Sequence, residues 1–393
     1  MQSKRLCTNL SPTPLPGAPT SLGKGLIPLR LPPFRAKNER PGEEGWGGEV
    51  SFYPMQPDLW RKRASATTGY CLRNFWEERA KKFHPATPAD PKALPWEFMW
   101  GNGVAFSMLV GAGDKERIAA FFDGLHGYWD TNAPVPGYDA YLSSPGNSDK
   151  YYDDNAWMVL TFVEAYEKTG ERKYLLRAVE ALRFVLSGWD EKLGGGIYWR
   201  EDRKSKNTCS NGPSAMAALA VGQHLNPRYY TAWAQRITDW TNVRLQDSDG
   251  LFFDNCDLGG KMERTKWTYN AALMLRTNLS LWKGTNEKHY LTEANRIAIA
   301  SEKVFVEPST QAFRDEANFS HLLVEAFLAL HEETKAPYLR TRAEACGNFA
   351  WTHLRDSDGG HWTKWRIEPN RQQTRKTLMD NASVARLYWL LGR

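Results

Sequence analysis

From about residue 62 onward, apolar residues recur at the three- and four-residue spacing of α-helices, and strand-like alternation is nearly absent. Some neighbouring helical segments are separated only by a short turn, as at Thr169-Gly170-Glu171. Short connections join antiparallel neighbours, so the pattern predicts an all-α fold made of helical hairpins. The predicted helices lie at about 65–84, 101–113, 115–129, 153–169, 172–188, 212–224, 227–245, 268–284, 287–305, 316–334, 336–354 and 380–392.

Three longer connections resemble one another: 189–199, 246–254 and 355–365. Each ends a helix, turns on Asp and Gly, and continues into aromatic residues; Gly permits the positive φ that such turns need. Together they indicate a degenerate repeat of roughly 50 to 60 residues. Solenoid repeats are usually shorter and more uniform, so we predict a closed (α/α)6 toroid. The first helix of most pairs, such as 153–169 and 268–284, should lie in the inner ring, with the long loops on one rim.

Composition supports one large globular domain over residues 61–393. The chain is 41% hydrophobic and 13% aromatic, which excludes full disorder, and it has no run of about 18 apolar residues that could span a membrane. A net charge of +6 over 393 residues does not indicate a nucleic-acid partner.

Residues 1–60 are rich in proline and predict a flexible extension. They lack the apolar core of a secretory signal, so the compartment is left open; a misplaced gene start is an alternative.

Two adjacent carboxylates, Asp153 and Asp154, stand where one predicted helix begins. Asp is a favoured helix cap, and acids suit the positive end of a helix, so capping is the simplest interpretation. Capping explains the presence of one acid better than that of two, and the two acids are flanked in the sequence by Tyr, Asn and Trp residues. A retaining glycosidase needs two carboxyl groups about 5–5.5 Å apart, one ionised and one protonated. Because close charges separate their proton affinities, the pair also predicts retaining glycoside hydrolysis.

The run Tyr151–Trp157 resembles the catalytic Asp-Asp motif of glycoside hydrolase family 76, whose members are endo-acting α-1,6-mannanases of bacteria and fungi with an (α/α)6 barrel. The resemblance covers about 95–390 and includes 194–199, 209–213 and 267–270. It implies Asp153 as nucleophile, Asp154 as general acid/base, a retaining mechanism, and no metal or other cofactor. The implied partner is α-mannan or another mannose-containing glycan, and we expect a monomer. Secreted family members begin with a signal sequence, which is not recognisable here.

Further side chains on the predicted rim are candidates for sugar binding. Amides both donate to and accept from hydroxyl groups, aromatic rings pack on sugar C–H faces, and additional aspartates accept from hydroxyls. Each type also has a structural alternative: an amide can cap a helix, a ring can fill the core, and an Asp can form a turn. The candidates are Tyr152, Asn155, Tyr198, Trp199, Asn211, Asp254, Tyr269, Asn270, Asp315 and Trp362.

Several functional alternatives remain open. Transglycosylation shares the glycosyl-enzyme intermediate, and some fungal relatives are associated with cell-wall assembly. An unsaturated uronyl hydrolase or a sugar 2-epimerase could use the same toroid, although an epimerase would need His residues as acid and base. An inactive glycan-binding protein is the third alternative, and the intact aspartate pair argues against it.

The five cysteines show no zinc-site spacing. Cys209 and Cys256 lie in the loops of successive hairpins, so a disulfide between them is possible if their Cα atoms come within about 7 Å.

Overall fold

The computed structural model describes residues 57–131, 134–146, 148–368 and 373–393. The predicted extension 1–60 therefore lies, up to residue 56, outside the described residues. The described residues contain twelve α-helices. Their bounds are Pro57–Phe75 (α1), Met99–Ala112 (α2), Lys115–Gly124 (α3), Tyr152–Thr169 (α4), Arg172–Ser187 (α5), Thr208–Gly222 (α6), Pro227–Leu245 (α7), Thr268–Thr285 (α8), Lys288–Phe305 (α9), Ala317–Thr334 (α10), Pro337–Phe349 (α11) and Leu378–Leu391 (α12).

The helices form two concentric rings. Helices α2, α4, α6, α8, α10 and α12 each contact two neighbours of the same set, and the contact between α12 and α2 closes the inner ring. Helices α3, α5, α7, α9 and α11 each pack outside the inner helix that precedes them, while α1 packs on α12. The first and last helices thus form the sixth hairpin. The predicted (α/α)6 toroid is confirmed, with α4 and α8 in the inner ring.

The hydrophobic pattern explains which helices lie inside. Helix α6 buries every residue except Ala220, and α12 buries every residue except Met379 and Trp389. A helix with neighbours on all sides needs small or apolar residues around its whole circumference. The outer helix α5 instead buries one face, whose residues recur at helical spacing and include Tyr174, Leu175, Ala178, Ala181, Leu182 and Val185.

Short strands connect the hairpins, and within the described ranges none exceeds three residues. The largest sheet joins Ser205–Asn207, Asn255–Asp257 and Met262–Glu263 in antiparallel order.

The helix predicted at 65–84 is wrong in its second half: α1 ends at Phe75, and a two-stranded hairpin follows. Trp76 and Phe83 pack across that hairpin with ring centroids 4.9 Å apart, so their apolar spacing reflects a turn rather than a helix face.

Charged side chains from four inner helices meet in the middle of the toroid. Arg386 of α12 pairs with Glu164 of α4 and with Glu325 of α10, and Arg276 of α8 also reaches Glu325 at 3.0 Å. Although burial opposes ionisation, the two guanidinium groups hold the pKa of Glu325 at about 2. These ion pairs join four helices of the inner ring.

No helix in the described part of the chain is long and apolar enough to cross a membrane.

Candidate active site

A cleft of about 520 Å³ opens where five of the six inner helices begin. The first turns of α2, α4, α6, α8 and α10 supply part of its wall, and the long loops between hairpins supply the rest. The sequence-based placement of a site on the loop-bearing rim therefore agrees with this geometry. The lining residues are Phe98, Trp100, Ala140, Asp149, Tyr151, Asp153, Asp154, Trp157, Trp199, Ser205, Asn207, Cys209, Asp254, Asn255, Tyr269 and Phe319.

Asp153 and Asp154 both reach this cleft from the first turn of α4. The Oδ1 atom of Asp153 accepts a hydrogen bond from the backbone N–H of Asp154 at 3.0 Å. Its Oδ2 atom accepts from Nε1 of Trp199 at 3.0 Å and from the Cys209 thiol at 3.4 Å. Three donors from α4, a rim loop and α6 therefore hold one carboxylate in a fixed orientation.

Capping accounts for only part of this arrangement. Tyr151 occupies the N-cap position of α4, and its side chain makes no capping hydrogen bond. Asp153 does accept one backbone N–H of the first turn, as a capping acid would. Asp380 of α12 illustrates the structural alternative, since its Oδ2 atom accepts from the hydroxyls of Thr363 and Thr377 away from the cleft lining. The α4 pair differs because both carboxyl groups line the cleft.

The environment separates the proton affinities of the two acids. Burial raises the pKa of Asp153 to about 6, and the hydrogen bonds from Cys209, the Asp154 backbone and Trp199 oppose a larger rise. Burial also raises the pKa of Asp154 well above its usual value, and the charges of Asp153 and Asp149 raise it further. The pair therefore favours an ionised Asp153 beside a protonated Asp154. A nucleophile and a proton donor need these two states.

Aromatic rings form two walls beside the carboxylates. On one side Phe319 stacks on Trp100 and Tyr269, with ring centroids 5.7 and 4.4 Å apart. On the other side Tyr151 meets Trp199 edge to face at 5.0 Å. Such walls offer apolar faces on which the C–H surface of a sugar can pack.

Asp254 provides a fourth carboxylate in the cleft, after Asp149 and the α4 pair. Burial raises the pKa of Asp254, and the hydrogen bond from Asn255 partly offsets the rise. The Asn255 amide donates to its Oδ2 atom at 2.8 Å. No lysine, arginine or histidine is among the lining residues of the described cleft, although Arg200 pairs with Asp149 at 2.7 Å.

Asn155 and Asn211 both bind the backbone of a connecting loop, and their predicted contacts with sugar stay predictions. Asn155 accepts from the backbone N–H of Tyr138 at 2.7 Å and donates back to the Tyr138 carbonyl at 2.9 Å. Asn211 makes the same two bonds with Ile197, at 2.8 and 2.9 Å. Asn381 of α12 repeats the arrangement with His361. Each amide pins a connecting loop to the start of an inner helix, and all three are wholly buried.

Three aromatic residues that were predicted to bind sugar are also not among the residues that line the cleft. Tyr152 is buried and stacks on Phe184, with centroids 4.8 Å apart. Tyr198 is fully buried and donates its hydroxyl to Asp190 at 2.8 Å. Trp362 packs under the ammonium group of Lys376, 4.5 Å from the ring centroid. In each case the ring packs against protein groups, and the predicted contact of these residues with sugar stays a prediction.

Asn270 and Asp315 lie behind the cleft wall. Asn270 is wholly buried and is not among the residues that line the cleft. Asp315 accepts from the backbone N–H of Thr268 at 2.8 Å and so satisfies the first turn of α8. Of the predicted binding residues, the structure brings Trp199, Asp254 and Tyr269 to the cleft with Asp153 and Asp154, and their contacts with sugar stay predictions.

The possible disulfide is not formed, since Cys209 and Cys256 are both unpaired and buried. The Cys209 sulfur points to Asp153, whereas the Cys256 sulfur donates to the backbone carbonyl of Asp257 at 3.4 Å. Within the described ranges no group of three or more His, Cys, Asp or Glu side chains is arranged to hold a metal ion.

Sequence reasoning missed several cleft residues. Asp149 precedes α4, and Cys209 was predicted only as a possible disulfide partner. Phe98, Trp100 and Phe319 stand just before or within the first turns of other inner helices. The signal that could have identified these three residues is their shared position at helix starts, because the first turns of all inner helices face the same rim.

A closed ring of six helical hairpins, with a hydrogen-bonded carboxylate pair in an aromatic cleft, defines the (α/α)6 class of sugar-active enzymes. The chain belongs to glycosyl hydrolase family 76, whose family model matches residues 60–383. The resemblance seen in the sequence motifs is thereby confirmed.

Individual relatives agree with this assignment. The chain is 24% identical over 258 residues to the meiotically up-regulated gene 191 protein of Schizosaccharomyces pombe, covering 59% of this chain and 57% of the relative. It is 30% identical over 204 residues to the mannan endo-1,6-alpha-mannosidase DCW1 of Candida glabrata, covering 46% and 43%. The chain thus spans about half the length of these curated relatives. The structure of the alpha-mannanase BT2949 of Bacteroides thetaiotaomicron is 25% identical, has a TM-score of 0.78, and covers 85% of this chain and 97% of that protein.

Proposed function

We propose that this protein is a retaining glycoside hydrolase that cleaves α-1,6-mannosidic linkages inside mannan or mannan-bearing glycans. The observation that carries the proposal is the Asp153 carboxylate, held by three donors in an aromatic cleft beside Asp154, whose raised pKa favours the protonated form. The names of the relatives supply the linkage. A structural neighbour from Salegentibacter, 21% identical with a TM-score of 0.70, is an inactive variant in which two aspartates are replaced, in complex with alpha-1,6-mannotriose.

In the proposed first step the ionised Asp153 attacks the anomeric carbon, and Asp154 gives its proton to the departing glycosidic oxygen. The bond between sugar and leaving group breaks as the ester to Asp153 forms. Asp154, now ionised, then takes a proton from water as that water attacks the anomeric carbon and releases Asp153. The two inversions return the α configuration, and Asp154 is again protonated.

The charge of the cleft argues against the uronyl hydrolase alternative. A uronic acid would bring a further negative charge beside the ionised Asp153, and no cation is among the lining residues of the described cleft to pair with it. A sugar 2-epimerase would need histidines as acid and base, and no histidine is among the lining residues of the described cleft. Burial lowers the pKa values of His321 and His361, which lie elsewhere in the toroid and stay neutral. An uncharged glycan such as mannan suits the cleft best.

The proposal is tested by incubating the protein with linear α-1,6-mannan and following the products by proton NMR. We expect shorter mannooligosaccharides whose new reducing ends appear first as the α anomer. Added mannobiose would reveal transglycosylation through products longer than those of hydrolysis. An initial β anomer would contradict the retaining mechanism, and an intact polymer would contradict mannan cleavage altogether.

The two raised pKa values predict a bell-shaped dependence of kcat/KM on pH. Activity should fall as the pH drops through the pKa of Asp153, near 6, because the nucleophile becomes neutral. It should also fall as the pH rises through the higher pKa of Asp154, because the acid loses its proton. Asp149→Asn should move only this alkaline limb, and to lower pH, since the charge of Asp149 raises the pKa of Asp154. An unmoved limb would contradict this electrostatic coupling.

A further inference from the structure

Cys209 stands against the proposed nucleophile. It is the second residue of α6, is 6% exposed, and lines the cleft. Its sulfur lies 3.4 Å from Oδ2 of Asp153, within the range of a thiol hydrogen bond. The phenol of Tyr269 on α8 lies near the same sulfur, and burial together with the nearby Cys209 and Asp254 raises its pKa. The other described cysteines, at positions 71, 256 and 346, do not line the cleft.

The thiol can only act as a donor if it keeps its proton. Burial raises the pKa of Cys209 well above its usual value, and the negative charges of Asp153 and Asp254 raise it further. The thiol is therefore protonated wherever Asp153 is ionised. Together with the indole of Trp199 it places two donors on one carboxylate oxygen, which restricts rotation of the carboxylate about its Cβ–Cγ bond.

We propose that Cys209 is a positioning residue, whose thiol orients the Asp153 carboxylate for attack and favours its ionised form over the neutral acid. The inference rests on the proposed role of Asp153 as nucleophile. The titratable groups that face Asp153 from the neighbouring elements are Asp154 and Tyr151 of the same segment, Cys209 of α6, and Tyr269 of α8, with Asp254 behind the sulfur. Of these, the thiol is the group that donates directly to Oδ2.

Removing the donor should weaken the nucleophile without changing how the glycan binds. In Cys209→Ala we expect kcat to fall about tenfold, the size of one ordinary hydrogen bond, with KM little changed. The acidic limb of the pH profile should move to higher pH, because Asp153 loses a donor that stabilises its charge. Cys209→Ser keeps a hydroxyl donor and should retain the wild-type limb. Cys346→Ala removes a buried thiol outside the cleft and should lower stability without moving either limb.

A second measurement does not depend on the substrate. The ¹³C resonance of the Asp153 carboxyl, assigned by its loss in Asp153→Asn, can be titrated in protein labelled at aspartate. Its pKa should rise in Cys209→Ala and stay near the wild-type value in Cys209→Ser. An unchanged titration in Cys209→Ala overturns the role of Cys209. If that shift appears but wild-type protein leaves mannan intact, the mannanase proposal is the one at fault.

Discussion

Replacing Asp153 with asparagine is expected to lower kcat/KM for α-1,6-mannan on the order of 10⁴-fold, comparable to the loss of a catalytic residue in other covalent enzymes. An amide is neutral and cannot form the glycosyl ester, so the covalent route is removed. The three donors that now hold the carboxylate would face an amide of nearly the same shape, and the fold should change little. Initial rates of reducing-end formation, with circular dichroism as a check of folding, measure the effect.

Asp380 offers a matched control for this substitution. It is also an aspartate in the first turn of an inner helix, but two threonine hydroxyls bind it and it does not line the cleft. Asp380→Asn should therefore affect the free energy of unfolding more than the chemistry. The loss in Asp153→Asn should also exceed that of removing any single rim aromatic, such as Trp199→Ala. Near-normal mannanase activity in Asp153→Asn would remove Asp153 from the nucleophile's role.

Helical periodicity and short turns were enough to predict the closed toroid, because each hairpin has its own hydrophobic pattern. The boundary errors have local causes. The region after Phe75 contains apolar residues at helix-like spacing, but they pack across a short hairpin. The start of α6 was predicted four residues late, at Gly212, whereas the helix begins at Thr208 and contains Pro213 in its interior. That difference matters because it places Cys209 on the helix rather than in a loop.

The asparagines show a different limit. An Asn recurs in or near the first turn of every inner helix, at Asn102, Asn155, Asn211, Asn270, Asn318 and Asn381. Comparing hairpins with one another would have revealed this recurrence and favoured a structural role shared by all six. Read singly, Asn155 and Asn211 resembled sugar-binding amides. Their structural role becomes visible only from the loop backbone that each one binds, which lies 17 residues away in the chain for Asn155 and 14 for Asn211.

The cleft residues that escaped prediction act from outside the helix that carries the aspartate pair. Asp149 acts on Asp154 from the preceding loop, and Cys209 reaches Asp153 from the neighbouring inner helix. Phe319 comes from α10, far along the chain, and stacks on Trp100 of α2. Local patterns place such side chains on a helix start but do not say which side chains meet across the rim. The adjacent pair on α4 was predictable because both acids belong to one turn.

Asp154→Asn should separate the two chemical steps. Loss of a general acid costs about 10²- to 10⁴-fold in cleavage of mannan, whose leaving group needs a proton. A mannobioside with a dinitrophenolate leaving group needs little protonation, so its first step should proceed at close to the wild-type rate. The glycosyl-enzyme would then accumulate, because no base activates water, and mass spectrometry should detect the ester on Asp153. Wild-type protein under the same conditions should show no such accumulation.

Azide identifies which acid has been removed. It is already an anion and needs no base, so it should restore turnover of the activated substrate by Asp154→Asn. It would attack from the side where Asp154 stands and release the α-mannobiosyl azide. If Asp154 were instead the nucleophile, azide would replace it on the opposite face and give the β-azide. The anomeric configuration of the azide, read by NMR, thus decides between the two assignments, since a β product from Asp154→Asn would exchange the roles of Asp153 and Asp154.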